Sequence, residues 1–303
     1  MRILLSLSYA YMGYVVFYAW NISWLDGVFL LPLMYTGVHK LLKGGKPYLY
    51  IFSLSIAIIS NFYIGYMLGI ASVLFYCTYV LMKSDQFLST IKGSLGKYVL
   101  FTGIAVGISC FLLIPAYLGL PKTRSVSLIQ ILKEMYLNCN PSEIISGLFS
   151  GQVNSLDTNS PLIYCGILPV IFVVLFFINK EIELRRKIIY DLLIFIFLIS
   201  FSNSFINIIW HGLSVNAWFN YRYSFIFSFV LLIIAYESYF SILSLDNVNR
   251  RNLIIQSLLF IFIALIFVLE NVSDKNSFLL ITVDIVVIIL SFIISFLQIK
   301  LYK

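Results

Sequence analysis

From Tyr48 to Met82 the chain runs 35 residues without one charged or histidine side chain. As a single helix this run would extend roughly 52 Å at about 1.5 Å per residue, well beyond a hydrocarbon core of about 30 Å. It therefore has to fold back on itself, and Ser60-Asn61 is the natural place to turn. Two helices, 48–60 and 62–82, follow from that one constraint.

Similar apolar stretches, bounded by charge or turn residues, lie at 4–20, 24–39, 98–120, 161–179, 188–209, 222–243, 252–270 and 277–299. With the two halves of the long run they make ten spans. The chain is 61% hydrophobic and only 11% charged over 303 residues, whereas a soluble domain carries about 25% charged residues. The reading is an all-α, polytopic transmembrane helical bundle, a single domain over residues 1–303. The net charge of +7 does not point to nucleic acid, because the cations fall in short interhelical loops rather than on one soluble face. Arg2 ahead of an apolar run also fits a signal peptide, but no small-residue cleavage site follows and Tyr9, Tyr11, Tyr14 and Tyr18 interrupt the run, which favours a retained helix.

Ten spans sort the basic residues. Fifteen of the twenty Lys and Arg residues, from Arg2 and Lys40 to Lys300 and Lys303, fall on one side of the alternation. The exceptions are Lys122, Arg124, Lys133, Arg222 and Lys275. By the positive-inside rule the crowded side is cytoplasmic, so both termini are expected there. Loop 121–160 then faces out. Within it Leu128, Ile131, Leu132 and Met135 recur at helical spacing, which predicts an interfacial amphipathic helix over 125–137. Ser142-Glu143 and the run from Ser146 to Ser160 read as flexible polar loop.

The chemically varied residues gather on the expected outer ends: Trp24 and Asp26, Asn61 and Tyr63, His211, and the run Trp218-Phe219-Asn220-Tyr221-Arg222. Lys122, Arg124 and Arg222 run against the topological bias and suit a phosphate, Arg through a bidentate fork and Lys as a point charge; they equally suit ordinary phospholipid head groups. Asp26 reads either as a general base or as a helix N-terminal carboxylate favoured by the macrodipole. His211 reads as a proton shuttle, as a partner for a sugar hydroxyl, or as an amphipathic interfacial residue. His39, before Lys40, is an ordinary interfacial histidine. Glu237 and Asp284 lie inside spans and read as interhelical hydrogen-bonding groups; as intramembrane carboxylates they also motivate a transporter or lipid flippase, although no internal repeat supports one. No metal-ligand pattern, phosphate-cradling glycine loop or CxxC pair is present, and Cys139 and Cys165 are too unlike in setting to predict a disulfide.

Four strings carry a family resemblance: Tyr18-Ala19-Trp20-Asn21 with Trp24-Leu25-Asp26; Ser60-Asn61-Phe62-Tyr63-Ile64-Gly65-Tyr66-Met67; Ile114-Pro115-Ala116-Tyr117-Leu118-Gly119-Leu120; and Trp218-Phe219-Asn220-Tyr221-Arg222-Tyr223-Ser224-Phe225. In this order they resemble the bacterial YfhO family. That resemblance implies a GT-C-like membrane glycosyltransferase in the bacterial cell membrane, moving a sugar from a polyprenyl-phosphate carrier to a cell-wall polymer such as lipoteichoic acid. Membrane lipid is the further partner. It carries over Asn61, Tyr63, Trp218, Asn220, Tyr221 and Arg222 as substrate-binding residues, with Asp26 as the catalytic candidate. Family members are longer, with an acidic first outer loop, so the chain is expected to be a fragment. No cofactor is expected beyond a divalent metal should that loop be supplied. A polysaccharide polymerase, told apart by its lengthened product, is the remaining rival.

Overall fold

The computed structural model describes residues 1–83, 87–119, 139–150, 160–213, 219–270 and 284–285. Among these residues all regular structure is helical. The helices are α1 (Arg2–Ala10), α2 (Gly13–Phe17), α3 (Ile22–Leu42), α4 (Tyr48–Ser60), α5 (Phe62–Met82), α6 (Phe87–Ile108), α7 (Cys110–Gly119), α8 (Pro141–Ser146), α9 (Ile167–Ile178), α10 (Leu184–Ser202), α11 (Ser204–Trp210), α12 (Ser224–Leu243) and α13 (Asn247–Glu270). Among the described residues four stretches are long and apolar enough to cross a membrane: α5, α6, α12 and the Asn247–Ile266 part of α13. The anticipated span 277–299, apart from residues 284–285, and the amphipathic helix 125–137 lie outside the described residues.

The break at Asn61 falls where the length argument put it, and both helices have the anticipated bounds. Other spans differ. The stretch 4–20 divides into α1 and α2, 98–120 breaks at Ser109, and 188–209 breaks at Asn203. Asn203 stops α10 because its side chain caps the next helix, accepting from the Phe205 and Ile206 amides at 3.0 and 3.2 Å. Helix α6 begins at Phe87, eleven residues before the anticipated span. Lys92 and Lys97 thus ride exposed on a helix instead of a loop, beside Ser94, whose hydroxyl donates back to the Thr90 carbonyl at 2.6 Å. The polar stretch after Cys139 is not all loop either. Glu143 reaches back to accept from the Asn140 amide at 3.4 Å, and this local closure starts α8.

The chain forms two compact units. The first comprises Met1–Val16, Asn138–Ile188 and Phe227–Lys303. Here Ile171 and Leu175 of α9 pack on Leu258, Ile261 and Leu265 of α13, an i, i+3, i+7 stripe. Several polar groups of this unit are engaged internally. Asp284 accepts from the Ser150 amide at 2.6 Å, the Ser150 hydroxyl at 2.8 Å and the Tyr164 hydroxyl at 3.2 Å. Glu237 pairs with Arg186 at 3.3 Å, and Arg250 donates to the carbonyls of Ile242, Leu243 and Leu245, which close the end of α12. Cys139 and Cys165 are both buried as free thiols.

The second unit comprises Phe17–Leu137 and Ile189–Ile226. Helices α3, α4, α5 and α6 pack closely in it. Two glycines set the spacing: a Cβ on Gly37 would meet the Tyr50 amide nitrogen at 2.6 Å, and one on Gly65 would meet the Ile58 Cα at 2.6 Å. The core between α4, α5 and α6 holds hydroxyls that satisfy one another. Thr102 donates to the Tyr98 carbonyl (2.7 Å) and Ser72 to the Gly69 carbonyl (2.7 Å). Each hydroxyl has one proton, so Tyr50 donates to Thr102 (2.8 Å) and Tyr98 to Ser72 (2.8 Å). Buried polar groups paired in this way avoid the desolvation penalty of an unmade bond.

Candidate functional site

One end of the second unit gathers most of the residues singled out in the sequence. The gathering starts with Asn61, whose extended backbone ends α4 and whose side chain opens α5 by accepting from the Tyr63 and Ile64 amides at 3.1 and 3.2 Å. Its amide also donates to the Ser23 carbonyl at 3.3 Å, which ties the turn to the first turn of α3. Beside it Ser60 donates to the Asp26 carboxylate. Asp26 is thereby held by side-chain contact, and it lies beyond the first turn of α3, where the helix start acts little on it.

Tyr63 faces His211, which ends α11. The His211 Nε2 lies 2.6 Å from the Asn220 carbonyl, an acceptor, so Nε2 carries the proton. Nδ1 then presents a lone pair, and the Tyr63 hydroxyl donates to it. The imidazole is 2% exposed. Burial lowers its pKa from the usual 6.5 to about 4; the nearby Arg222 charge acts the same way, while the Asn220 carbonyl opposes both. His211 is therefore neutral near pH 7, with both nitrogens engaged, and it works as a positioning group.

Arg222 follows Asn220 by two residues. Its guanidinium carbon lies 4.8 Å from the centre of the Trp24 ring and 4.8 Å from that of Tyr63. Each such contact contributes about 0.5–1 kcal/mol, more when desolvated, and together the two rings hold the guanidinium in place. Trp24 in turn packs on Tyr18 at 4.9 Å and on Phe219 at 5.4 Å. Below this layer Trp210 stacks on Tyr223 at 4.5 Å and donates to the Ser200 hydroxyl at 3.0 Å.

The structure thus brings together Asp26, Asn61, Tyr63, His211, Asn220 and Arg222. Tyr221 departs from the expected role: it is turned inward, 4% exposed, with its hydroxyl donating to the Phe201 carbonyl at 3.1 Å. Successive side chains of the 219–222 turn point different ways, so Tyr221 serves the packing while Arg222 reaches the rings. Lys122, Arg124 and Trp218 lie outside the described residues. Trp24 and Ser60 were missed as site residues; their signal was membership in the same short strings as Asp26 and Asn61. Among the described residues no three His, Cys, Asp or Glu side chains gather as a metal set would. A cleft of about 620 Å³ opens beside Ser60, Asn61 and Phe62, with Pro115 on its far wall.

Chemically, the arrangement offers an oriented guanidinium fork, a carboxylate held by a hydroxyl, and an aromatic wall. No curated protein and no solved structure matches the chain. Residues 1–303 match the family described as "Bacterial membrane protein YfhO". The match runs over the whole of the sequence, including the strings that build the Asp26, Asn61 and Arg222 cluster, and the chain belongs to the YfhO family of membrane proteins.

Proposed function

We propose that this YfhO-family chain acts as a GT-C-like membrane glycosyltransferase. It would take a sugar from a polyprenyl-phosphate carrier at the extracytoplasmic face and pass it to a cell-wall polymer such as lipoteichoic acid. The observation that carries this reading is Arg222, held between Trp24 and Tyr63 with its fork oriented. A fork fixed in this way suits two oxygens of a phosphate better than a mobile lysine would.

In the transfer, the acceptor hydroxyl oxygen attacks the sugar's anomeric carbon as the bond from that carbon to the carrier phosphate breaks. The acceptor's proton passes to the Asp26 carboxylate, and Arg222 stabilises the charge on the departing carrier phosphate. Ser60 aims Asp26, and neutral His211 holds the Tyr63 ring in place beneath the guanidinium. Ten spans with both termini cytoplasmic would put this cluster on the outer rim, and Lys122, Arg124 and Trp218 belong to the same expected rim. The flippase alternative draws on Glu237 and Asp284, whose hydrogen-bonding capacity is engaged by Arg186, Ser150 and Tyr164.

Membranes carrying the chain, incubated with a polyprenyl-phosphate sugar donor and cell-wall polymer, test the reading. The expected result is transfer that falls by roughly 100-fold or more in Arg222→Gln and Asp26→Asn, the scale for removing one transition-state contact. Transfer that is absent from the unaltered chain, or indifferent to both substitutions, overturns it.

A further inference from the structure

Helices α3 and α5 supply Trp24 and Tyr63 to the Arg222 cluster near their first turns, and they meet again at their other ends. Lys43 and Lys83 close those ends as the C-terminal caps of the two helices. One turn inside them lie His39 and Tyr79, whose rings meet edge-on at 5.5 Å. The Lys83 ammonium sits 5.6 Å from the centre of the Tyr79 ring, and the Lys43 charge acts on His39. Packing leaves three capacities of this group unused. Tyr79 is 8% exposed, and its hydroxyl is buried without a hydrogen-bond partner. The His39 Nδ1 lies 3.2 Å from the Tyr35 carbonyl, an acceptor, so Nδ1 carries the proton and Nε2 keeps a lone pair. Lys43 and Lys83 are exposed and make no ion pair among the described residues.

The surroundings favour an anion. Between Asp26 and Lys122 the sequence holds six lysines and a single carboxylate, Asp85, which lies outside the described residues. The helix dipole accounts for a cation at each C-terminus, but not for a buried phenol left unmade, which is costly in a dry interior. From Trp24 to Lys43 along α3, and from Tyr63 to Lys83 along α5, the chain rises roughly 28–30 Å at about 1.5 Å per residue. That is the thickness of a hydrocarbon core, about 30 Å. The two ends therefore stand a bilayer core apart, each at the depth of phosphate head groups.

We infer that His39, Lys43, Tyr79 and Lys83 form a binding site for a phosphodiester whose alcohol carries a free hydroxyl, the chemistry of a phosphatidylglycerol head group. The Tyr79 hydroxyl and the two ammonium groups donate to the phosphate oxygens. The His39 Nε2 accepts from the hydroxyl of the alcohol. Exposed lysines alone attract any anionic head group; the phenol and the imidazole lone pair give this site a preference among them. It stands apart from the Arg222 cluster and does not depend on the transferase reading.

The test measures lipid binding to the detergent-solubilised chain by native mass spectrometry. Phosphatidylglycerol is compared with phosphatidylethanol, which has the same charge and no hydroxyl, and with glycerophosphoglycerol, the same head group without acyl chains. Phosphatidylglycerol is expected to bind about tenfold more tightly than phosphatidylethanol, the worth of one hydrogen bond left unmade. His39→Phe keeps the ring and is expected to abolish that preference. Tyr79→Phe removes only an unpartnered hydroxyl; it is expected to weaken both lipids by about tenfold while the lipid-free melting temperature does not fall. The two-lipid comparison on the unaltered chain keeps the test valid should a variant fail to fold. Equal binding of the two lipids overturns the inference, because charge alone then explains the binding. Binding indifferent to Tyr79→Phe overturns it as well. Glycerophosphoglycerol that competes at the concentration of the lipid overturns the lipid assignment and makes the ligand a soluble phosphodiester.

Discussion

Among single residues, His211 and Arg222 carry the sharpest consequences. The folded state keeps the His211 imidazole neutral down to about pH 4, whereas an unfolded chain protonates it near 6.5. Between those values the unfolded state binds more protons, so stability rises with pH across the window and is lost on acidification. At about 1.36 kcal/mol per pH unit the span is worth roughly 3 kcal/mol. Melting temperatures of detergent-solubilised protein at pH 7 and 4.5 are expected to fall less in His211→Gln than in the unaltered chain; parallel falls would refute the buried neutral state. Arg222→Lys keeps the charge but loses the fork and the two ring contacts. On the proposed transferase reading, donor phosphate binding is expected to weaken by roughly tenfold or more, read by competition with a labelled polyisoprenyl phosphate. The residue types at this cluster were visible in sequence. The hydrogen bonds that make His211 a positioning group and turn Tyr221 inward were not, because they depend on carbonyls at Asn220 and Phe201 whose directions only the folded turn sets.

At the level of elements, the turn at Asn61 and the glycine contacts decide how helices meet. Asn61→Ala removes a cap, which costs about 1 kcal/mol in general, and also the bond to Ser23 on α3. It is expected to destabilise more than Asn203→Ala, which removes a cap alone; thermal melts of the two variants compare them directly. Gly65→Ala and Gly69→Ala form a second pair. The first forces a methyl against the Ile58 backbone and is expected to cost about 1–3 kcal/mol. The second enters open space, where exchanging glycine for alanine in a helix gains up to about 1 kcal/mol. Equal effects would show that α4 and α5 do not pack as described. Helix α5 was legible to the residue, since an uncharged run longer than a bilayer has few ways to fold. The breaks at Ser109 and Asn203 were not, because both interrupt apolar runs that length alone leaves whole.

On the scale of the whole molecule, the membrane family and the all-helical architecture were already written in hydropathy and in the four short strings, and the family match covers residues 1–303. The topology has a direct test. In a background freed of Cys77, Cys110, Cys139 and Cys165, single cysteines at positions 61 and 220 are expected to react with an impermeant thiol reagent added outside. Reaction from opposite faces would refute both the folding-back at Asn61 and the transferase reading. By itself the sequence determined the solvent this chain needs, the class of its secondary structure and the place of its sharpest turn, because these follow from local composition and from a length compared with a bilayer. Only the tertiary structure decided that Trp24, Tyr63 and Arg222 form one clamp and that His39 and Tyr79 meet at the far ends of α3 and α5. Those contacts join residues far apart in the chain, and their geometry arises from helix packing that no local pattern encodes.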